Sequence, residues 1–545
     1  MESHEASRQL PNVGLSTGSL ASPTAFSLSS KSATLFLAAL AAVVLAGIAI
    51  RLVCVRDSLW ADEIASLYFA HEPLANLWSD WMRRETNPPL YYTALKAWMY
   101  LMGEESDQNL RLLSLAYSCG AIVMAGVLGK RVAGPWAGLA AAALMAVSPA
   151  QVHYGVEVRA FAQAQLMALI ALWGAIAFFS SSSFSSFRPV ERNLGLGLYV
   201  GGTIAAIYSH TVLVLLPVFI NACAFVWLGM RWRDDRRLWP SWIGANGLVL
   251  AASGWWLSIT IWQLYNARNL DWIARPTASS IAEQLQGIYG SGAPFPDLPL
   301  LGGIAILVAA AISIVALIVM IRRYFRDTPI LLAVCAVGAP GALFLLSFIK
   351  PVMIARAFFW AGGSFLISVA IGLRAMANRS VAGTFLGCLL ALNLAGTFSM
   401  IGREDGEPYR QVAEDLSRRE PGTVVIADSV ETGLALQRYC PWGDCAFDLR
   451  AVEGWETWTA DVAMQRISAR QIPAILSCEG EVYTVQRPMG EAKRYVSDSA
   501  GIRRDLSDRY GLESYLKVTR LNAISSSRSQ GSSSSRFPGS ACARS

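Results

Sequence analysis

Two carboxylates, Asp62 and Glu63, stand side by side in the stretch SLWADEIASL, just after an apolar run long enough to cross a bilayer. Adjacent acids repel each other and are costly to take out of water. At a membrane edge they either cap a helix or do chemistry. Four more stretches bring polar groups to the ends of apolar runs. NPPLYY supplies Asn87 and Tyr91, with two prolines fixing the entry to a helix. SPAQVHYGVEVRAFAQ carries His153, Tyr154, Glu157 and Arg159, YSHT carries Tyr208 and His210, and SFIKPVMIARAFFW carries Lys350 and Arg356. A carboxylate among cations could serve as a general base beside an anion clamp, with arginine forks suited to bidentate contacts. A paired Asp62–Glu157 site for Mg²⁺ or Mn²⁺ is a second reading. His71, His153 and His210 lack any recognised zinc spacing. Each piece alone has a plainer explanation: a helix cap, a local Glu157–Arg159 ion pair, a snorkelling Arg356, a tyrosine belt. Their convergence is what points to a site.

A membrane is needed to bring these residues to one face. The 545-residue chain has a mean hydropathy of +0.40 and only 15% charged residues, too apolar for an ordinary soluble protein. Apolar stretches near the ~20 residues of a span recur from Thr34 to about Met400. Eleven spans are expected, at 33–53, 110–129, 135–150, 160–180, 195–209, 211–230, 241–263, 298–321, 328–349, 353–373 and 381–400. One set of intervening loops (GKR, FRPVERN, RWRDDRR, RRYFRD, RAMANR) holds 13 Lys and Arg, and the alternate set holds five. The positive-inside rule puts the first set, and the N-terminus, in the cytoplasm. The candidate chemistry then lies on the outer face. The net charge of +6 reports this topology, and no basic, aromatic-interleaved surface suggests nucleic acid.

Residues 57–109 form the first outer loop. NPPLYYTALKAWMYLMG is read there as an interfacial helix, because counting it as a span would invert the charge bias of every later loop. The division expected is a polar cytoplasmic tail (1–32), a membrane domain (33–402), an outer α/β domain (403–524) and a low-complexity tail (525–545). The apolar run after Lys31 is too long for a cleaved signal peptide and is read as an anchor. In the α/β domain EPYRQVAEDLSRR and VETGLALQRY read as helices, and GTVVIAD, PAILSC and EVYTVQ as strands. Cys440 and Cys445 flank PWGD and either form a disulfide or remain free thiols.

A carboxylate base, cations and a lipid-facing outer groove suit a sugar linked through phosphate to a polyprenol. Arg159, Lys350 and Arg356 would hold the phosphate. The base would deprotonate an acceptor hydroxyl, and a single displacement would invert the anomeric centre. A transporter or flippase of lipid-linked sugars is the rival reading. Transporters usually carry internal repeats with matching broken helices, and none is visible here. A receptor would leave Asp62 and Glu63 unexplained.

The motifs ADE (61–63), NPPLYY (87–92), LRLLSLAYSCGAIVMAGVLGKRVAG (110–134), SPAQVHYGVEVRAFA (148–162), YSHT (208–211) and KPVMIAR (350–356) fall in a telling order. In them the chain resembles bacterial membrane glycosyltransferases of the GT-C class, within the dolichyl-phosphate-mannose protein mannosyltransferase-like superfamily. That superfamily includes aminoarabinose transferases acting on lipid A. EPYRQVAEDL is similar to the start of the outer domain in a branch with rhizobial lipopolysaccharide galacturonosyltransferases. The resemblance implies a GT-C fold with interfacial helices in the first outer loop. It implies a polyprenyl-phosphate sugar donor, an envelope lipid or glycan acceptor, and a bacterial inner-membrane location with the site facing the periplasm. It puts Asp62 in the role of catalytic base with Glu63 beside it, Glu157 as the second-loop acid, and Arg159 as the arginine that follows it. Where the family often has His before the two prolines, this chain has Asn87, which cannot titrate and is a poor metal ligand.

Overall fold

The structure is a computed structural model. It describes residues 30–55, 58–180, 189–230, 238–266, 273–401, 407–420, 422–440, 444–453, 459, 461–472, 475, 482–486 and 517–521. Helix α1 (Ser30–Val53) is apolar on every side and leads to the first loop. That loop folds as α2 (Ala61–His71), the single turn α3 (Leu74–Leu77), a 3₁₀ turn at Asp80–Arg84, and α4 (Leu90–Met102). Pro89 immediately precedes α4, and Gly103 ends it with φ 65°, a left-handed turn that favours glycine. At 13 residues α4 is too short to span a bilayer, as expected of an interfacial helix.

The bundle continues with α5 (Asp107–Ala133), α6 (Pro135–Val147), α7 (Pro149–Val156), α8 (Phe161–Ser180), α9 (Pro189–Ser209), α10 (Leu215–Met230) and α11 (Leu238–Asn266). It closes with α12 (Ala278–Tyr289), α13 (Pro299–Tyr324), α14 (Ile330–Leu346), α15 (Phe359–Ala375) and α16 (Arg379–Phe398). Each of the eleven expected spans coincides with a helix, but only eight helices among the described residues are long and apolar enough to cross a membrane alone. α6 and α7 pass that test together and are bent by 64° at Ser148. α14 has 17 residues, and α9 is diluted by Glu191, Arg192 and glycines. α12 falls between two expected spans, where no helix is expected.

The bend has a visible cause. Pro149 follows Ser148 and cannot continue the hydrogen-bond ladder. The freed carbonyls of Met145 and Ala146 accept instead from Arg51, near the end of α1 (3.2 and 3.0 Å). This arginine is fully buried and also donates to Ser118 Oγ (2.9 Å), the Gly47 carbonyl (3.1 Å) and the Gln151 carbonyl on α7 (3.1 Å). Gly155 lies beside it, and a Cβ there would stand 2.6 Å from Ser118 Oγ.

Beyond the bundle, α17 (Tyr409–Ser417) and α18 (Val430–Arg438) accompany a five-stranded sheet. Its strands are β1 (Val424–Ala427), β2 (Asp448–Val452), β3 (Gln465–Ile467), β4 (Val482–Gln486) and β5 (Lys517–Leu521), in the order β3-β2-β1-β4-β5. β1 lies between β2 and β4, parallel to both, and all four of its residues are buried, the pattern of a central parallel strand. Val425 stands opposite Leu449 and Tyr483, and only β5 runs antiparallel. The two expected helices and the strands in GTVVIAD and EVYTVQ are present. PAILSC lies outside the described residues except Ile475, which is helical. Cys440 and Cys445 are joined by a disulfide.

Two apolar cores result. One fills the membrane bundle around α5, α6, α8 and α15. The other joins Leu59, Ile64 and Tyr92 of the first loop to Val412, Val425 and Leu436 of the C-terminal unit. The candidate site lies where the first loop meets the bundle.

Candidate active site

Helix α2 begins at Ala61, with Trp60 before it in extended backbone (φ −90°, ψ 169°). Two acids in its first turn complement the positive end of the helix. They go to different places. Glu63 is fully buried, and a buried carboxylate must be paired and hydrogen-bonded. Its Oε2 accepts from the Trp60 amide (3.1 Å) and Arg111 (2.8 Å), and its Oε1 accepts from the Val158 amide (2.8 Å) and Arg111 Nε (3.3 Å). Arg111, on α5, also donates to the Ser58 carbonyl (3.0 Å). Glu63 thus ties together α2, α5 and the segment after α7. Glu63, expected beside Asp62 at the site, is enclosed among these partners.

Asp62 faces the other way, into a cluster of cations. Its Oδ2 lies 2.5 Å from an Arg356 guanidinium nitrogen and 3.9 Å from one of Arg159. Arg159 comes from the four-residue turn between α7 and α8, and also donates to the Asp62 carbonyl (3.0 Å) and Ser66 Oγ (3.2 Å). Arg356 comes from the 3₁₀ turn Ala355–Phe358, with its guanidinium 5.6 Å from the centre of the Trp60 ring. The side chains of Asp62, Arg159 and Arg356 are 17%, 12% and 24% exposed, so they are largely dry yet still open to a ligand. His210 opens the 3₁₀ turn Thr211–Val214, where its Nδ1 accepts from the Val212 amide (3.3 Å). Burial, with the charges of Arg159 and Arg356, pushes its imidazole down to about 3. The ring is therefore neutral near neutral pH.

The second acid is Glu157, which is buried and pairs with His153 (3.1 Å) one helical turn back. Its charge also acts on Arg159. Tyr154 packs in a ring cluster with Phe161 and Phe359, at 5.2 and 5.0 Å between centroids. The structure does not bring every expected residue to Asp62. Tyr91 is fully buried and bonded to Ser114 Oγ (2.8 Å). Lys350 directs its ammonium to the exposed Leu264 carbonyl at the end of α11 (3.5 Å). Asn87 serves another residue: its amide N–H and its Nδ2 both donate to Glu85 Oε1 (2.9 and 2.8 Å).

Glu85 and Arg111 are the residues that sequence reasoning passed over. Glu85 is buried beside Tyr92, and its charge acts on Arg159. Burial pushes its carboxyl up, while Arg159 and the Asn87 hydrogen bonds pull it back. The available signal was an acid two residues ahead of Asn87 and the double proline. For Arg111 it was an arginine at the second position of an expected span.

Among the described residues no three His, Cys, Asp or Glu side chains are grouped to hold a metal ion. A divalent cation at Asp62 would meet two guanidiniums, so the residues present do not fit the Mg²⁺ or Mn²⁺ expected there with Glu157.

No family model and no curated protein matches the chain. Solved structures do. ArnT from Cupriavidus metallidurans, in the apo state, is 13% identical, with a TM-score of 0.53 over 90% of this chain and 98% of that one. The same protein bound to undecaprenyl phosphate gives 13% identity and a TM-score of 0.53 over 92% and 99%. The archaeal oligosaccharyltransferase AglB from Archaeoglobus fulgidus is 11% identical, with a TM-score of 0.49 over 84% and 70%. An identity of 13% carries the likeness to ArnT as far as architecture, and in architecture this chain is a polytopic α-helical membrane protein of the GT-C fold.

Proposed function

We propose that the chain is an inverting glycosyltransferase. It moves a sugar from a polyprenyl-phosphate donor to a hydroxyl of an envelope glycolipid or glycan, at the outer face of the bacterial inner membrane. The observation that carries this reading is the partly exposed Asp62 carboxylate held against Arg356 and beside Arg159. ArnT, whose fold this chain shares, is known bound to undecaprenyl phosphate.

In the resting site Asp62 occupies the guanidinium of Arg356. A lipid-linked phosphate is a better bidentate partner for the two arginines, and on arrival it draws them away and frees the carboxylate. Asp62 then takes the proton of the acceptor hydroxyl. The acceptor oxygen attacks the anomeric carbon from the face opposite the phosphate. The carbon–oxygen bond to phosphate breaks, its electron pair stays on the phosphate oxygen, and the arginines hold that charge. Glu63 acts as the anchor of the base-bearing helix, and Glu157 and Glu85 keep Arg159 aligned. Neutral His210 adds no competing positive charge.

The orientation rests on the Lys and Arg asymmetry of the loops, with the N-terminus cytoplasmic and residues 403–524 forming a periplasmic unit. A disulfide in that unit suits an oxidising compartment.

Mass spectrometry of envelope glycolipids from cells with and without the protein tests the reading, scored at equal membrane abundance. A glycosyl addition should depend on the chain. Asp62→Asn should lose about 10²–10⁴-fold in turnover. Arg356→Ala should weaken undecaprenyl phosphate binding by ~1.5–3 kcal/mol, with Arg356→Lys only a partial rescue. A product formed at the normal level by Asp62→Asn would overturn the assignment of the base.

A further inference from the structure

We infer that Glu407 and Tyr439 of the C-terminal unit are positioning residues for Asp62, so that this unit is part of the catalytic apparatus. The inference rests on the reading of Asp62 as the base. The N-cap residue of α2, Trp60, has no side-chain acceptor to offer the first-turn amides, and Glu63 within the helix answers only the Trp60 amide (3.1 Å). The amide of Ala61, one residue before Asp62, donates instead to Glu407 Oε2 (2.8 Å), 346 positions away in the chain. Ser58 Oγ donates to the Glu407 carbonyl (2.8 Å). Between these contacts, the Leu59 amide donates to the Tyr439 hydroxyl (2.6 Å). That hydroxyl in turn donates to Asp107 Oδ2 (2.7 Å), at the head of α5.

Asp107 is buried and also binds Arg410 (2.8 Å) and Arg438 (3.2 Å), with the Arg410 guanidinium 4.6 Å from the Tyr439 ring centre. The segment Ser58–Glu63 is therefore gripped from two sides. Arg111 and the Val158 amide hold it to the bundle, and Glu407 and Tyr439 hold it to the C-terminal unit. Leu59 and Ile64 share an apolar core with Val412 and Leu436, which makes the second grip a packed interface. A carboxylate from a distant segment does here what an N-cap residue does locally. Without it the first turn of α2 frays, and the first turn is what aims Asp62 at its target.

Hydrogen exchange on the full-length protein in detergent tests this directly, read beside undecaprenyl phosphate binding and the envelope product. Glu407→Ala and Tyr439→Phe should speed exchange of the Leu59–Asp62 amides about tenfold, the loss expected of a helix cap. Product per molecule should fall in step, while undecaprenyl phosphate binds as well as before, because Arg159 and Arg356 are untouched. Glu407→Gln keeps an acceptor oxygen and should restore both exchange and product. A merely global destabilisation would weaken lipid binding as well and would not be rescued by Gln. Native-like exchange at Leu59–Asp62 in Glu407→Ala, or raised exchange with undiminished product, would overturn the inference. If Asp62→Asn makes product normally, the base assignment fails, and the exchange data still decide whether Glu407 holds the helix.

Discussion

Burial, with the charges of Arg159 and Arg356 beside it, acts on His210. An unfolded histidine titrates near 6.5, whereas the folded ring is held to about 3. Between those values the unfolded chain binds a proton that the folded chain refuses, so stability rises with pH across that window. The contribution is whole above about pH 6.5 and is lost as the pH falls toward 3. His210→Gln can still accept the Val212 amide but cannot titrate. Thermal melts of the solubilised protein at about pH 7 and about pH 4.5 should show a smaller drop for this variant than for the parent. Equal drops would mean that the ring titrates normally. The same scale shows what the sequence could and could not tell. Asp62, Arg159 and Arg356 stood out because charges at membrane edges are rare and costly. The split between Asp62 and Glu63 was hidden: successive helical residues point about 100° apart, and only the partner, Arg111, reveals which way each goes.

Among the elements, the bent pair α6–α7 does the positioning. Its bend lets the chain after α7 turn back and deliver Arg159 to Asp62. Arg51 holds that bend through four carbonyls and one hydroxyl, with its positive charge at the negative end of α6. Arg51→Met would leave the Met145 and Ala146 carbonyls at the end of α6 without the donor they have here and should cost about 3 kcal/mol, with Lys a partial substitute. Thermal melting of the purified variants measures this, and a Met variant as stable as the parent would show that the bend holds itself. The apolar runs made the helices legible, because a bilayer demands length and apolarity together. The bend was not, since Ser-Pro alone marks a break without saying what repairs it. β2, β3 and β5 also went unread. They are three to five residues long and owe their pairing to partners far along the chain.

For the molecule as a whole, the loop charges predict one orientation. Reporter fusions after Arg237 and Arg326 should score cytoplasmic and a fusion after Asp428 external. A cytoplasmic score at Asp428 would put the site on the wrong side for the proposed donor.

The contact between Ala61 and Glu407 sets an order of events in biosynthesis. Ribosomes make chains from the N-terminus, so Asp62 emerges early and its helix reaches the membrane surface with its first amide unanswered. Arg159 and Arg356 follow during synthesis of the bundle, and Glu407 and Tyr439 come only after it. On the proposed reading, a half-made chain already carries the base and both arginines at the membrane. It lacks the seat that aims them. If Asp62 is the base, competence for transfer waits on synthesis of the C-terminal unit, and a chain stalled or clipped before Glu407 should be a silent one.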